Sequence, residues 1–304
     1  MNKSLVGILV ALVVVFGIVA FGVYFIDPKL QFPLDTKTIP SRFFFVAVGL
    51  LIAFAIYYFT KENAAWDVGT RQVVWMAIGA ALYAVFSWLF NGTVFVVPSV
   101  SQVALRPAIA IPMFFGYAFG PVVGFFTGAV GNMFGDALTG FGLSPQWSIG
   151  NGLIGLISGC WMLFKDRKQS MNTLLYVSGA LSVLAVLLFF MNRSTINALY
   201  FADTQPVSLF AGLSILIGFV LVLAVRYGFA SNENVATAVM WGMLGNILGL
   251  LFASLADIFI NGLTLPATIV GQFLPAAGPN LIFAAILVPL LVGAYASVQR
   301  QSGR

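Results

Sequence analysis

The sequence predicts an all-α polytopic membrane protein with about ten transmembrane helices. Composition carries the first part of that reading: of 304 residues, 61% are hydrophobic and 8% charged, with mean hydropathy +1.02. Apolar segments therefore recur along nearly the whole chain, and no stretch is polar enough for a separate soluble domain. The second observation is length. The apolar runs approach the roughly 20 residues that a helix needs to cross about 30 Å of hydrocarbon. The third is the placing of charge, which falls mostly in short gaps between the runs.

The spans read at 5–26, 42–60, 73–90, 107–118, 121–140, 148–164, 172–191, 206–225, 234–260 and 279–297. The first follows Lys3 and resembles a signal peptide in position, but its apolar run is longer than an h-region and no small-residue cleavage site follows, so it reads as a retained helix. The fourth is short and is bounded by Arg106-Pro107 and Gly120-Pro121. Proline breaks or bends a helix, so this span is either tilted or partly irregular and buried in protein.

Orientation follows from Lys and Arg in the short loops. One face carries Lys3, Lys61, Arg71, Lys165, Arg167, Lys168, Arg226, Arg300 and Arg304, and the other Lys29, Lys37, Arg42 and Arg193. The richer face is expected inside, which puts both termini in the cytoplasm of a cell-membrane protein. The net charge of +5 is thus a topology signal and does not point to nucleic acid.

Several chemistries are excluded. Cys160 is the single cysteine and His is absent, which removes an intrachain disulfide, a Cys-based metal site and the commonest general base. With Asp136 and Asp257 the carboxylates inside spans, an intramembrane enzyme lacks its base, nucleophile or metal set, and neither a cofactor nor a metal is expected. No Gly-Lys pair occurs, so the chain has no P-loop of its own.

Function is sought in polar residues that lipid would penalise. A charge at mid-bilayer costs about 2.5–3.5 kcal/mol even on lenient scales, so Arg106 and Asp136 should face protein or a wet cavity. With both termini inside, Arg106, Asn132, Asp136, Trp147, Asn151, Asp257 and Asn280 fall at similar depth in the outer leaflet, although they come from about 175 positions of sequence. A few placed polar groups in an apolar pocket suit a solute site. The alternative is that Arg106 and Asp136 form an ion pair that joins two helices and binds nothing, and that Asp257 only reaches interfacial water. Glycines recur beside these residues, at 116, 120, 124 and 128, then 131 and 135, then 155 and 159, which predicts close helix packing.

These residues carry a resemblance. Arg106-Pro107, Gly120-Pro121-Val122-Val123-Gly124, Gly128, Gly131-Asn132-Met133-Phe134-Gly135-Asp136 and Trp147-Ser148-Ile149-Gly150-Asn151-Gly152-Leu153-Ile154-Gly155 occur in an order that resembles the substrate-binding S component of energy-coupling factor (ECF) transporters. The small-residue run Ala77-Ile78-Gly79-Ala80-Ala81-Leu82-Tyr83-Ala84 looks like that family's first helix, and Gly278-Pro279-Asn280 with Leu287-Val288-Pro289-Leu290 looks like its last. The likeness is strong over 72–164 and weaker over 234–298.

The resemblance implies a six-helix bundle that captures a vitamin or related micronutrient from outside. It assigns the lid to 91–105 and the pocket to Arg106, Asn132, Asp136, Trp147, Asn151, Asp257 and Asn280. Ala77, Ala81 and Ala84 become contacts to a membrane T component, with energy from separate ATPase subunits and release by toppling in the bilayer. The chain then divides into an N-terminal pair of extra helices (1–65), the first four core helices (66–164), an inserted pair (165–232) and the last two core helices (233–304).

For the cargo, Arg106 suits a carboxylate or phosphate, Asp136 a cationic or amine-bearing group, and Trp147 or Phe141 a flat ring. If Arg106 is neutralised by Asp136, a neutral ring compound fits instead. The rival reading is a proton- or ion-coupled secondary transporter using Asp136 and Asp257, although Gly131-Asn132, Gly150-Asn151 and Gly245-Asn246 recur too irregularly to define inverted halves.

Overall fold

A computed structural model describes residues 36–90, 106–139, 144–195 and 206–302, with Val10, Val14 and Gly17 as isolated positions. The remainder of the span expected at 5–26, the lid expected at 91–105, Phe141, Lys3, Lys29 and Arg304 lie outside the described residues. Within them the chain forms helices α1 (Ile39–Thr60), α2 (Thr70–Leu89), α3 (Ala110–Phe119), α4 (Pro121–Thr139), α5 (Pro145–Gly159), α6 (Arg167–Met191), α7 (Leu209–Gly228), α8 (Glu233–Ile260) and α9 (Leu265–Gln301).

Helix starts follow local rules. The Asp166 carboxylate accepts from the Gln169 amide at 2.8 Å, the Ser208 hydroxyl from Ala211 at 3.1 Å and the Asn232 side chain from Val235 at 3.3 Å, so α6, α7 and α8 each begin on a side-chain cap. Pro107 opens a 3₁₀ turn ahead of α3 and Pro121 opens α4, where a missing N–H costs nothing. Between α3 and α4 stands Gly120 at φ +104°, a conformation that a side chain would strain.

Among the described residues, six helices are long and apolar enough to span a bilayer: α1, α2, α6, α7, α8 and α9. The three that are not, α3, α4 and α5, occupy the middle of the bundle. At 13 residues, 107–119 rises only about 20 Å, as its flanking breakers predict. α5 is buried along its whole length except at Trp147, packing on α1, α3, α4 and α8. α3 and α5 need no apolar outer face, because other helices cover them, and α4 shows one only near its end, at Phe134 and Leu138. The lipid-facing surface is supplied by outer residues such as Phe44, Leu51 and Phe59 of α1, Val74 and Val85 of α2, and Leu184 and Leu187 of α6.

The predicted glycine packing is present, divided over two faces of α4. Gly124 meets Gly155 of α5 backbone to backbone, and Gly128 sits against the Asn151 carbonyl; a Cβ at either position would overlap the facing main chain. Gly131 and Gly135 face α2 instead, at Tyr83 and Ser87. Contact at this range replaces the missing hydrophobic drive between helices in lipid with close dispersion packing.

Most boundaries shift by a few residues, and the largest difference from the sequence reading is at the last helix. The last helix was expected from 279 but begins at Leu265, passes through a π-helical turn at Ile269–Phe273 and continues through Pro279 and Pro289. Pro275 and Pro279 do not end the helix, because neighbouring helices tolerate the lost hydrogen bonds inside a membrane. Asn280 is therefore buried in a helix interior and does not open the helix at its end.

Candidate functional site

Cross-helix contacts gather one end of the bundle around a polar centre. The starts of α1, α3, α5 and α9 meet there with the ends of α2, α4 and α8. At the opposite end, the Asn63 amide donates to the Met162 carbonyl at 3.3 Å, and the Arg167 guanidinium lies 4.2 Å above the Trp161 ring.

The first network is built on α4. Asn132 and Asp136 are four residues apart, one above the other on a helix face. Arg106 precedes Pro107, which disfavours helical backbone before it, and its φ of −115° and ψ of 75° take the chain out of helix at that point. Its guanidinium donates to Asn132 Oδ1 at 2.6 Å and to Asp136 Oδ1 at 3.0 Å. Asn132 Nδ2 in turn donates to Asp136 Oδ2 at 2.8 Å and to Ser148 Oγ on α5 at 3.2 Å. The ion pair is asymmetric: the Arg106 side chain keeps 19% of its surface exposed and that of Asp136 only 5%. What this network offers a solute is thus a guanidinium face, while both carboxylate oxygens are already engaged.

Beside it, Tyr83 Oη of α2 donates to Asn151 Oδ1 at 2.8 Å, and Asn151 Nδ2 donates to the Trp147 carbonyl at 2.9 Å. Asn151 is held by a fully buried tyrosine and faces the first network from α5.

The second network centres on Asp257. The residue is 1% exposed and accepts from Gln146 Nε2 and Trp147 Nε1, both at 2.9 Å. Gln146 Oε1 accepts from Arg42 Nη1 at 3.2 Å, and Arg42 Nε donates to Thr38 Oγ1 at 3.1 Å. Gln272, on the π turn of α9, sits beside the same carboxylate. Asp257 is satisfied inside the protein, so the alternative that it merely reaches interfacial water does not hold.

Of the seven expected pocket residues, the structure joins Arg106, Asn132 and Asp136 directly and brings Trp147 and Asn151 alongside through α5. It places Asp257 in the adjoining network, and Asn280 is buried farther along α9. Five participants were not singled out from sequence: Arg42, Tyr83, Gln146, Ser148 and Gln272. Arg42 was counted only as a topology charge. Gln146 and Gln272, uncharged amides inside apolar stretches, were the available signal.

The expected partner surface divides. Ala77 and Ala81 are exposed on α2, whereas Ala84 turns inward and is buried against α4. Ala81 and Ala84 are three residues apart, a rotation of about 300°, which is enough to carry the second around the edge of the exposed stripe.

Among the described residues no cluster of His, Cys, Asp or Glu could hold a metal ion. Positioned donors and acceptors in a buried surround suit the arrangement to binding a solute.

Known proteins resemble this chain. The family model described as "ECF-type riboflavin transporter, S component" matches residues 67–211. A UPF0397 protein of Vibrio atlanticus (strain LGP32) is 36% identical over 104 residues, covering 34% of this chain and 55% of the relative. One from Aliivibrio salmonicida (strain LFI1238) is 29% identical over 175 residues, covering 56% of this chain and 92% of its own. Another from Aliivibrio fischeri (strain MJ11) is 30% identical over 138 residues, or 45% of this chain and 72% of the relative. No solved structure matches the chain. Apolar helices arranged around a polar centre and matches to several relatives agree, and the chain belongs to the UPF0397 family of ECF-type S components.

Proposed function

We propose that this protein is the membrane-embedded capture subunit of an ECF-type ABC importer for a vitamin or related small micronutrient, working with a separate T component and ATPase subunits. The observation that carries the reading is convergence. Arg106, Asn132, Asp136 and Ser148 come from three helices and their approaches, yet form one hydrogen-bonded polar centre at one end of the bundle, with Asn151 alongside on α5. Placed polar groups within an apolar wall orient and select a solute. That end is the outer one if the basic loops at the other end lie inside. Residues 91–105, between α2 and Arg106, are assigned as the lid, and the exposed Ala77 and Ala81 as the T-component contact. The helices before residue 66 and those within 165–232 are assigned as additions to a six-helix core.

Arg106 is neutralised by Asp136, so its open guanidinium face favours a neutral ring compound with a carbonyl acceptor. The family model that matches is named for riboflavin, whose ring carbonyls belong to that class, and riboflavin is the first candidate to test. The experiment is native mass spectrometry of the protein purified from membranes, before and after addition of riboflavin. A bound small molecule is the expected result. Protein that never retains one, whether supplied or endogenous, overturns the reading.

A further inference from the structure

Asp257 and Gln272 leave an electrostatic account that capture by Arg106 does not close. Asp257 is 1% exposed and makes no direct ion pair among the described residues: the uncharged side chains of Gln146, Trp147 and Gln272 hold it, and the Arg42 charge stands one amide away, behind Gln146. A buried carboxylate without a direct counter-charge is costly. The other acidic group, Asp136, has both an arginine and an asparagine on its oxygens.

Gln272 adds a second, independent observation. It is 7% exposed, lies beside Asp257, and its Oε1 has no hydrogen-bond partner. A buried amide acceptor left unsatisfied is costly, and such groups mark places where a partner is missing. The residue rides on the π turn at Ile269–Phe273, a wide turn of the kind often retained where a helix must present a side chain. The carboxylate already accepts from Gln146 and Trp147, with the Gln272 amide beside it, and each carboxylate oxygen has room for more than one donor. An unpartnered amide oxygen beside a buried carboxylate complements a group that donates N–H.

We propose that Asp257 and Gln272 form a donor-reading subsite that takes an N–H-bearing group, a protonated amine or a ring N–H, of the captured solute. The assignment rests on the capture reading above and reverses one sequence-based expectation: the amine end of the solute goes to Asp257, not Asp136. A solute is then held across the first turn of α5, its acceptor toward Arg106 and its donor toward Gln272. Trp147 and Gln146 position the carboxylate between them.

The test uses methylammonium as probe and tetramethylammonium, which has the same charge and no N–H, as its control. The full chain in lipid nanodiscs is titrated while tryptophan emission is followed, with Trp147→Phe identifying the signal of the indole that touches Asp257. A saturable response to methylammonium, at least tenfold weaker or absent for tetramethylammonium, is expected. Gln272→Leu should weaken the methylammonium response tenfold or more, and Gln272→Glu, which keeps an acceptor and adds charge, should preserve or strengthen it. If Gln272→Leu is not monodisperse, the Glu variant decides. Equal responses to the two ions, no response, or a weaker response in Gln272→Glu overturns the subsite. Native mass spectrometry on the same preparation separates the two readings. A retained solute without a methylammonium response removes the subsite alone, and a response without any retained solute removes capture alone.

Discussion

Trp147 and Ser148 are adjacent in sequence and serve different networks: the Trp147 indole donates to Asp257 at 2.9 Å, while the Ser148 hydroxyl accepts from Asn132 at 3.2 Å. One residue along a helix is a rotation of about 100°, so consecutive side chains at the start of α5 reach α8 on one side and α4 on the other. The first turn of α5 is thereby the partition between a direct arginine–carboxylate pair and an amide-bridged one, in which Gln146 separates Arg42 from Asp257.

The Arg106–Asp136 pair separates a binding role from a structural one. Arg106→Ala leaves a buried carboxylate and is expected to cost about 3 kcal/mol, whereas the double replacement Arg106→Met with Asp136→Leu removes both charges and restores most of that stability. Solute capture should be lost in both. Thermal unfolding in nanodiscs and mass spectrometry of retained solute check this; a double variant that still captures would leave the pair a purely structural clamp.

Gln146 joins Arg42 to Asp257. Replacing it with Leu removes the acceptor of one and a donor to the other, at an expected cost of about 2 kcal/mol. Thermal unfolding of Gln146→Leu beside Gln146→Glu measures it, and a midpoint unchanged in the Leu variant would show that the bridge contributes nothing.

Backbone contact between α4 and α5 depends on glycine. Gly155→Val drives a side chain into the Gly124 main chain and is expected to cost 3 kcal/mol or more, at or above the ordinary ~1–3 kcal/mol range of overpacking. Gly293→Ala, where nothing lies within 4 Å, is the matched control and should be silent. Monodisperse yield from membranes reports both.

On α2 the two alanines three residues apart should behave oppositely. Ala81→Leu, on the exposed face, is expected to preserve capture and block co-purification with a T component, while Ala84→Leu, buried against α4, should reduce folded yield instead. Normal assembly of the Ala81 variant would move the docking surface elsewhere.

Much of this was legible in the sequence, for a specific reason. Lipid penalises charge so heavily that Arg106 and Asp136 stood out as groups that must face protein or a wet cavity, while Asp257, near a helix end, was left open to interfacial water; the fourfold glycine interval announced a close contact before its partner was known. Breakers at Arg106-Pro107 and Gly120-Pro121 bounded a span too short to cross the bilayer by itself. What tertiary structure alone decided was pairing and facing. The links from Arg42 to Gln146 and from Gln146 to Asp257 join residues 104 and 111 positions apart, and no periodicity encodes such a distance. Arg42, by position a topology charge, is turned inward onto α5. Ala84 turned inward and Asn280 fell inside a longer helix, because which face of a uniformly apolar helix is covered depends on its neighbours and not on its own pattern. The sequence determined that polar groups had to be hidden in a helical membrane protein; the packing of α5 between α4 and α8 decided which of them meet.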